Sequence, residues 1–268
     1  MGIKDYLRNA FDIHYTTNDG LKYQIVGEEI KITGFTRKIK ITEIPSYIDE
    51  LPVGIISGLQ SIPFVGELHI PNTVHTIADN ALSITKGVTK IILPDSIKEI
   101  GCSAFSFSEA LEEIHFPEGM SFTDTLEAVA SECPKLKKIY MPSTMKRVPV
   151  GFLSGCEILE EIFIPDNVTE IDDIAFMYDS NLKTVHLPAS LKKIGEMAFC
   201  NCTALEEIVL PEGLEIIEKS VFAGCKMLRK INFPSTLKFI DKNAFQDCEI
   251  LSKPDIPIGC EVHNKAFD

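Results

Sequence analysis

The sequence has no tryptophan, no excess of basic residues and no apolar run long enough to cross a membrane. A membrane helix needs about 20 apolar residues in a row, so a membrane span is excluded. The net charge is −13, and an acidic body repels phosphate backbones, which argues against nucleic-acid binding. The N-terminus lacks the apolar core and the cleavage site of a signal peptide, so the chain by itself predicts a cytoplasmic protein.

Catalytic motifs are also missing from the sequence. No nucleophile is accompanied by a base, no glycine loop has the spacing that cradles a phosphate, and no HExxH segment is present. The sequence therefore predicts a protein that is not an enzyme and has no cofactor.

Prolines, by contrast, recur on a fixed period. Nine of the 15 prolines follow one another at steps of 23 residues, with a single step of 25: Pro71, Pro94, Pro117, Pro142, Pro165, Pro188, Pro211, Pro234 and Pro257. A period this regular is typical of a solenoid, in which each repeat forms one coil and stacks on its neighbours.

Each repeat has the same internal pattern. Apolar residues stand one and three positions before the proline, as at Ile164 and Ile162, and this alternation predicts a strand that the proline then ends. Later in the repeat comes an Ala-Phe pair or a close variant of it. We expect strand, corner, second short extended segment and helical turn in every coil. The phenylalanines of four successive repeats should stack as an internal spine: Phe176, Phe199, Phe222 and Phe245.

The repeat resembles a known family. LKTVHLPASLKKIGEMAFCNC, residues 182–202, is nearly the consensus of the BspA-type leucine-rich repeat, and ITGF at 32–35 and IPSYIDELPVGII at 44–56 resemble the segment that precedes the repeats in that family. Glu50 stands where the family pattern has glycine. The resemblance covers about residues 21–268. It implies a right-handed superhelix and, because family members include bacterial surface and adhesion proteins, a cell-surface role in binding a protein or a glycan.

We therefore predict an α/β repeat solenoid with 23-residue repeats, a parallel β-sheet and an N-terminal β-hairpin. Residues 1–20 form an extension with a short helix at 3–11, residues 21–64 a capping segment with the hairpin turning near Gly27, and residues 65–268 about nine repeats, of which the last is incomplete. The 25-residue unit lacks the Ala-Phe pair between Glu118 and Cys133 and should bulge outward.

The residue two positions before each proline should point away from the core. Apolar and aromatic side chains there are not needed for packing and predict a partner-binding surface, although residues that favour strands give the same pattern. Three are histidines, but about 10 Å and 15 Å of stacked strands separate them, so they cannot share a metal. The predicted surface comprises His69, Ile92, His115, Tyr140, Phe163, His186, Val209 and Asn232.

Five cysteines also share one repeat position, nine residues before a proline: Cys133, Cys156, Cys202, Cys225 and Cys248. Zinc binding or disulfides are the functional alternatives. The spacing of a zinc site is absent, and thiols side by side on parallel coils have poor disulfide geometry. Buried free thiols are therefore predicted, which favours a reducing environment.

Two functions fit these observations. The first is a non-catalytic recognition scaffold that binds a protein or a glycan across the strand face, at the bacterial surface or in contact with a host. The second is an intracellular scaffold or assembly module that self-associates end to end, since no polar cap follows Phe267 and solenoids normally need one.

Overall fold

The computed structural model describes residues 13–37, 39, 43–120, 126–252 and 254–268. Within these ranges the chain forms a parallel-strand β-solenoid of about ten turns with a repeat of about 23 residues. The short helix predicted at residues 3–11 lies outside the described residues, as do the central positions of the predicted bulge, 121–125.

An antiparallel hairpin precedes the repeats. The strands of this region are β1 (Tyr15–Thr16), β2 (Leu21–Val26), β3 (Glu29–Phe35), β4 (Tyr47–Ile48) and β5 (Leu51–Ile56). β2 and β3 pair antiparallel around a turn at Gly27, which has a φ of 64°. β5 then adds to β3 in parallel. The sheet thus changes from antiparallel to parallel at β3, where the first coil begins.

The turn between β4 and β5 contains the residue that departs from the family pattern. Glu50 adopts a φ of 65°, a left-handed conformation that glycine reaches without strain. The turn therefore keeps the backbone that a glycine would favour, although the side chain is glutamate.

The repeats form two columns of strands. One column, here called the strand face, contains the strands that end before the prolines: β6 (Val65–His69), β8 (Gly87–Ile92), β10 (Glu113–His115), β11 (Lys138–Tyr140), β13 (Glu161–Phe163), β15 (Thr184–His186), β17 (Glu207–Val209) and β19 (Lys230–Asn232). The back column contains two-residue strands: β7 (Thr76–Ile77), β9 (Glu99–Ile100), β12 (Arg147–Val148), β14 (Glu170–Ile171), β16 (Lys193–Ile194), β18 (Ile216–Ile217), β20 (Phe239–Ile240) and β21 (Glu261–Val262).

The predicted phenylalanine spine is present in the core. Phe176, Phe199, Phe222 and Phe245 are buried and stack in near-parallel pairs, with ring centroids 5.3, 5.8 and 5.5 Å apart. Phe267 extends the row, 5.0 Å from Phe245. One hydrophobic interior therefore runs through these coils.

The α part of the predicted fold class is not confirmed, because the described residues contain no helix. The segment expected to form a helical turn has a residue with positive φ at every fourth position, as at Ile174 (52°) and Tyr178 (67°), and a right-handed helix cannot include such residues. Alternate N–H groups here bond to the next coil: the amide of Phe176 donates to the carbonyl of Ala198 at 2.9 Å. Bonding between coils thus replaces bonding within a helix.

Candidate functional site

The structure places the eight predicted partner-binding residues on eight successive strands of the strand face. Seven are exposed and His115 is half-buried. The largest apolar side chains among them, Tyr140 and Phe163, are 48% and 62% exposed. The column thus points to solvent, while its binding role stays a prediction.

The hydrogen-bond ladder of the strand face is interrupted between β11 and β13 and again between β15 and β17. At the second interruption the inward residues Val185 and Ile208 stay buried, so the core remains covered there. At the first interruption β11 is the edge strand of the sheet β6-β8-β10-β11, and β13 is the edge strand of the pair β13-β15. In the next coil the Thr184 amide donates to the Glu160 carbonyl at 3.2 Å. Within the described part of the chain, no equivalent bond runs from Glu161 to Lys137. The strands that flank this gap therefore present free edges to each other.

The other side of the same two coils stays closed. β12 pairs with β14 in parallel, with Arg147 opposite Glu170. The Leu153 amide donates to the Ala175 carbonyl at 2.9 Å. The coils therefore separate only on the strand face, and the opening has the form of a wedge.

The gap between β11 and β13 forms a cleft of about 540 Å³, within the usual range of ligand sites. It is lined by residues of both edge strands and of the turn before β13: Lys137, Lys138, Ile139, Tyr140, Ile158, Glu160, Glu161 and Phe163. Ile139 is only partly buried, although the inward residues of the neighbouring strands, Ile114 and Ile162, are buried. The cleft therefore exposes an aliphatic residue that every closed coil covers.

Two aromatic–imidazole stacks stand at the rim of the cleft. The Tyr140 ring lies 4.0 Å from that of His115, and the Phe163 ring lies 4.0 Å from that of His186, with the two ring planes almost parallel at 2°. Each imidazole contacts a carboxylate: His115 that of Glu113, and His186 that of Glu161. Since the stacks fix both rings, the rim presents two preorganised aromatic surfaces.

The walls of the cleft carry opposite charges. On the β13 wall, Glu160 lies 3.1 Å from Lys183. On the β11 wall, Lys137 lies 2.9 Å from Glu112, and this hydrogen bond lowers the pKa of the Glu112 carboxyl. Lys138 has no ion-pair partner among the described residues. The opening thus separates Lys138 from Glu161, which would be its neighbour in a closed ladder.

The remaining predicted residues lie outside the cleft. His69 and Ile92 belong to β6 and β8, which pair in a closed ladder. The Asn232 side chain bonds to the Leu210 backbone: its Oδ1 accepts from the amide at 2.9 Å, and its Nδ2 donates to the carbonyl at 3.3 Å. The structure therefore brings together only His115, Tyr140, Phe163 and His186.

The cysteine column is buried as predicted, except that Cys248 in the last coils is half-buried, and no disulfide forms among the eight cysteines, all of which lie in the described ranges. The thiols of this column donate to a carbonyl of an earlier coil, as from Cys202 to Phe176 at 3.2 Å and from Cys225 to Phe199 at 3.2 Å. Burial raises the pKa of the Cys133 thiol to about 12, so this group is unreactive at neutral pH.

Sequence reasoning missed one member of that column. Asp179 stands nine residues before Pro188, in the position that cysteine occupies in the adjacent coils. It is fully buried; its Oδ1 accepts from the Cys156 amide at 2.8 Å, while its Oδ2 has no partner in the structure. Burial raises the pKa of this carboxyl well above its usual range. Counting nine residues back from every proline would have found it.

Clusters of metal ligands and membrane-spanning helices are both absent from residues 13–37, 39, 43–120, 126–252 and 254–268. These ranges contain no group of three or more His, Cys, Asp or Glu side chains that could hold an ion. They also contain no helix that is both long and apolar enough to span a membrane.

Comparison with known proteins identifies the repeats. The profile of the BspA type Leucine rich repeat region matches in six copies, over residues 30–158, 60–183 and 126–252, which together include most of the chain. The chain belongs to the BspA-type leucine-rich repeat family. Among curated proteins the comparison finds no match.

Solved structures of leucine-rich repeat proteins have a similar fold. A leucine-rich repeat protein from Bacteroides ovatus is 19% identical, with a TM-score of 0.62 over 94% of this chain and 90% of that protein. The T. pallidum leucine-rich repeat protein is 23% identical, with a TM-score of 0.50 over 88% of this chain and 90% of that protein. At these identities the likeness establishes the fold.

Proposed function

We propose that this protein is a non-catalytic recognition scaffold that binds a protein or a glycan at the cleft between Tyr140 and Phe163. The observation that carries the proposal is the break in the strand face, because it exposes Ile139 beneath two fixed aromatic rings. Aromatic residues that a partner buries commonly contribute a large share of the binding energy. The family resemblance supports a location at the bacterial surface.

The experiment compares two pairs of exposed aromatic residues. Peptide-display and glycan-array screens of the purified protein supply ligands, whose dissociation constants are then measured on variants. Tyr140→Ala with Phe163→Ala should weaken binding at least tenfold, since losing an anchor residue costs about 2 kcal/mol. Tyr178→Ala with Phe107→Ala is the matched control, because these side chains are 53% and 52% exposed in the turn segments.

The expected result for the control is a change of less than about twofold, as for residues outside an interface. Ligands whose affinity is insensitive to the Tyr140 and Phe163 substitutions, in protein that remains folded, would contradict the proposed site. Equal losses in both double variants would also contradict it.

A second candidate function is self-association through the last coil. There Ile258 is fully exposed, Ile250 is 48% exposed and Phe267 is 40% exposed, and exposed apolar groups of this kind mark contact surfaces. Sedimentation of the natural protein and of Ile258→Asp over a range of concentrations tests it. A dimer that the substitution dissociates supports this function, and a monomer at all concentrations contradicts it.

A further inference from the structure

We infer that the cleft binds an extended peptide segment of a partner protein, which inserts as a parallel strand between β11 and β13. This inference rests on the proposed function and names its ligand class. The segment has an acidic residue, then an aliphatic residue, then an aromatic residue. The backbone groups at the two strand edges, the partly exposed aliphatic residues and the charges of the cleft each support this inference.

The edge strands β11 and β13 direct backbone groups into the gap between them. Along a strand, alternate residues direct their N–H and C=O groups to opposite sides. The Tyr140 carbonyl accepts from the Phe116 amide, directly after β10, and the Ile164 amide donates to the His186 carbonyl on β15, both at 3.0 Å. The backbone groups of Ile139 and Met141 therefore face the gap from one side, and those of Glu161 and Phe163 face it from the other. Two free edges of this kind pair with an added strand.

One side chain of the inserted peptide, here called the guest, would point inward, toward the core of the coils. Side chains in the cleft follow the same alternation as in the closed coils, where Ile114 and Ile162 point inward and are buried. Ile139 and Ile158 remain partly exposed in the gap. An aliphatic side chain on the guest would cover both residues, and burying a side chain of this size contributes about 1.5–3 kcal/mol.

The outward side chains of the guest would lie between outward side chains of β11 and β13 in the same row across the sheet, and these neighbours determine which residues fit. In one row the guest lies between Lys138, which has no carboxylate partner among the described residues, and Glu161, which already contacts His186. An acidic residue therefore fits beside Lys138. In the next outward row it lies between the rings of Tyr140 and Phe163, so an aromatic residue stacks there.

The chain itself contains matched probes. The peptide LEEIFIP, with the sequence of residues 159–165, has the required order, and LKKIYMP, with the sequence of residues 136–142, carries lysines instead. Titration of fluorescent forms of both peptides should show about fivefold tighter binding of LEEIFIP, equivalent to one ion pair of about 1 kcal/mol. Lys138→Glu should reverse this preference. Lys230→Glu, in the closed pair β17-β19, is the control and should preserve it.

Backbone pairing is tested with LEEIFIP N-methylated at the amide of its Phe residue. The methyl group removes one donor and blocks strand pairing, so binding should fall at least tenfold, while a ligand held by side chains alone would be unaffected. Failure of both peptides to bind, or equal binding of the methylated peptide, overturns the inference. If oligosaccharides bind instead and are lost in Tyr140→Ala with Phe163→Ala, the inference fails while the proposed function stands.

Discussion

The coils from Phe176 to Phe245 and the coils around the cleft are built from the same repeat but differ in two respects. In the first region near-parallel phenylalanines stack at 5.3–5.8 Å. Around the cleft, Ala130 and Leu153 occupy the phenylalanine position, and Phe116 and Phe152 fill the core at a tilt, 6.2 Å apart. In this second region the strand face opens as a cleft between β11 and β13, whereas in the first region β15 and β17 also lack ladder pairing with each other but their inward residues Val185 and Ile208 stay buried.

The comparison shows that adjacent coils can lack strand hydrogen bonds on one side and still share a buried core. Both regions fully bury the residue in the phenylalanine position: Leu153 and Phe199 each have 0% exposure. The back column and the turn segments keep the coils together where the strand face is open. In these coils the bonds that hold the stack together therefore lie on the side opposite the proposed binding cleft.

The largest expected effect tests the regular region. Phe199→Ala should lower the free energy of unfolding by about 3–5 kcal/mol, because it leaves a cavity between two stacked rings. Phe163→Ala removes the same side chain from the exposed rim and should cost less than about 1 kcal/mol. Urea denaturation of both variants measures the contrast, and similar losses would mean that the rim is part of the core.

The next effect concerns Asp179, which lies between Cys156 and Cys202 in the column of buried thiols, where the two regions meet. Asp179→Cys should raise the free energy of unfolding by about 1–3 kcal/mol at pH 8, since a buried polar atom without a partner is removed. A thiol there can donate to a carbonyl of the preceding coil, as Cys202 does to Phe176. Asp166→Cys, at an exposed position, is the control and should change stability little.

The pH dependence of this effect has a definite sign. Burial raises the pKa of Asp179 in the folded state, so the folded protein keeps a proton that the unfolded chain releases. The contribution of Asp179 to the free energy of unfolding should therefore decrease as the pH rises above about 4, the ordinary pKa of aspartate, toward the raised value. Asp179→Cys should remove that decrease between pH 4 and 8, where an unchanged slope would contradict the assignment.

The smallest effect compares charges in the closed and open parts of the strand face. Arg229 contacts Glu206 at 3.2 Å and Glu207 at 2.8 Å, and these side chains are about half exposed. Arg229→Ala should cost about 0.5 kcal/mol. Lys138→Ala should leave thermal stability unchanged, because Lys138 has no ion pair among the described residues. A larger loss for Lys138 in thermal denaturation would indicate that the cleft closes in solution.

Much of this fold could be predicted from the sequence because the same residue spacing recurs in successive repeats. The strand before each proline, the outward position of Tyr140 and the stacking of Phe199 all follow from residue spacing. The absence of a helix did not follow, since the positive φ of residues such as Ile174 and Met197 depends on bonds between coils. Local propensity does not include such bonds.

The candidate site was only half accessible to sequence reasoning. The position of Tyr140 and Phe163 in the exposed column was readable, but the gap between them was not, because both strands match the repeat as well as any other. The unit that contains β11 differs from the others, since it has 25 residues and no Ala-Phe pair. That difference does not by itself locate a break in the ladder, because β15 and β17 are also not paired with each other although their units keep the 23-residue period.

Amide hydrogen exchange, followed by NMR, tests most directly whether the strand face is open. Met141 and Ile164 are equivalent positions of successive repeats, and so are Glu161 and Thr184. The amides of Ile164 and Thr184 donate to an adjacent coil and should be protected from exchange. The amides of Met141 and Glu161 face the cleft and should exchange rapidly. Equal protection at all four amides would contradict the account, since it would mean that β11 and β13 are paired in solution.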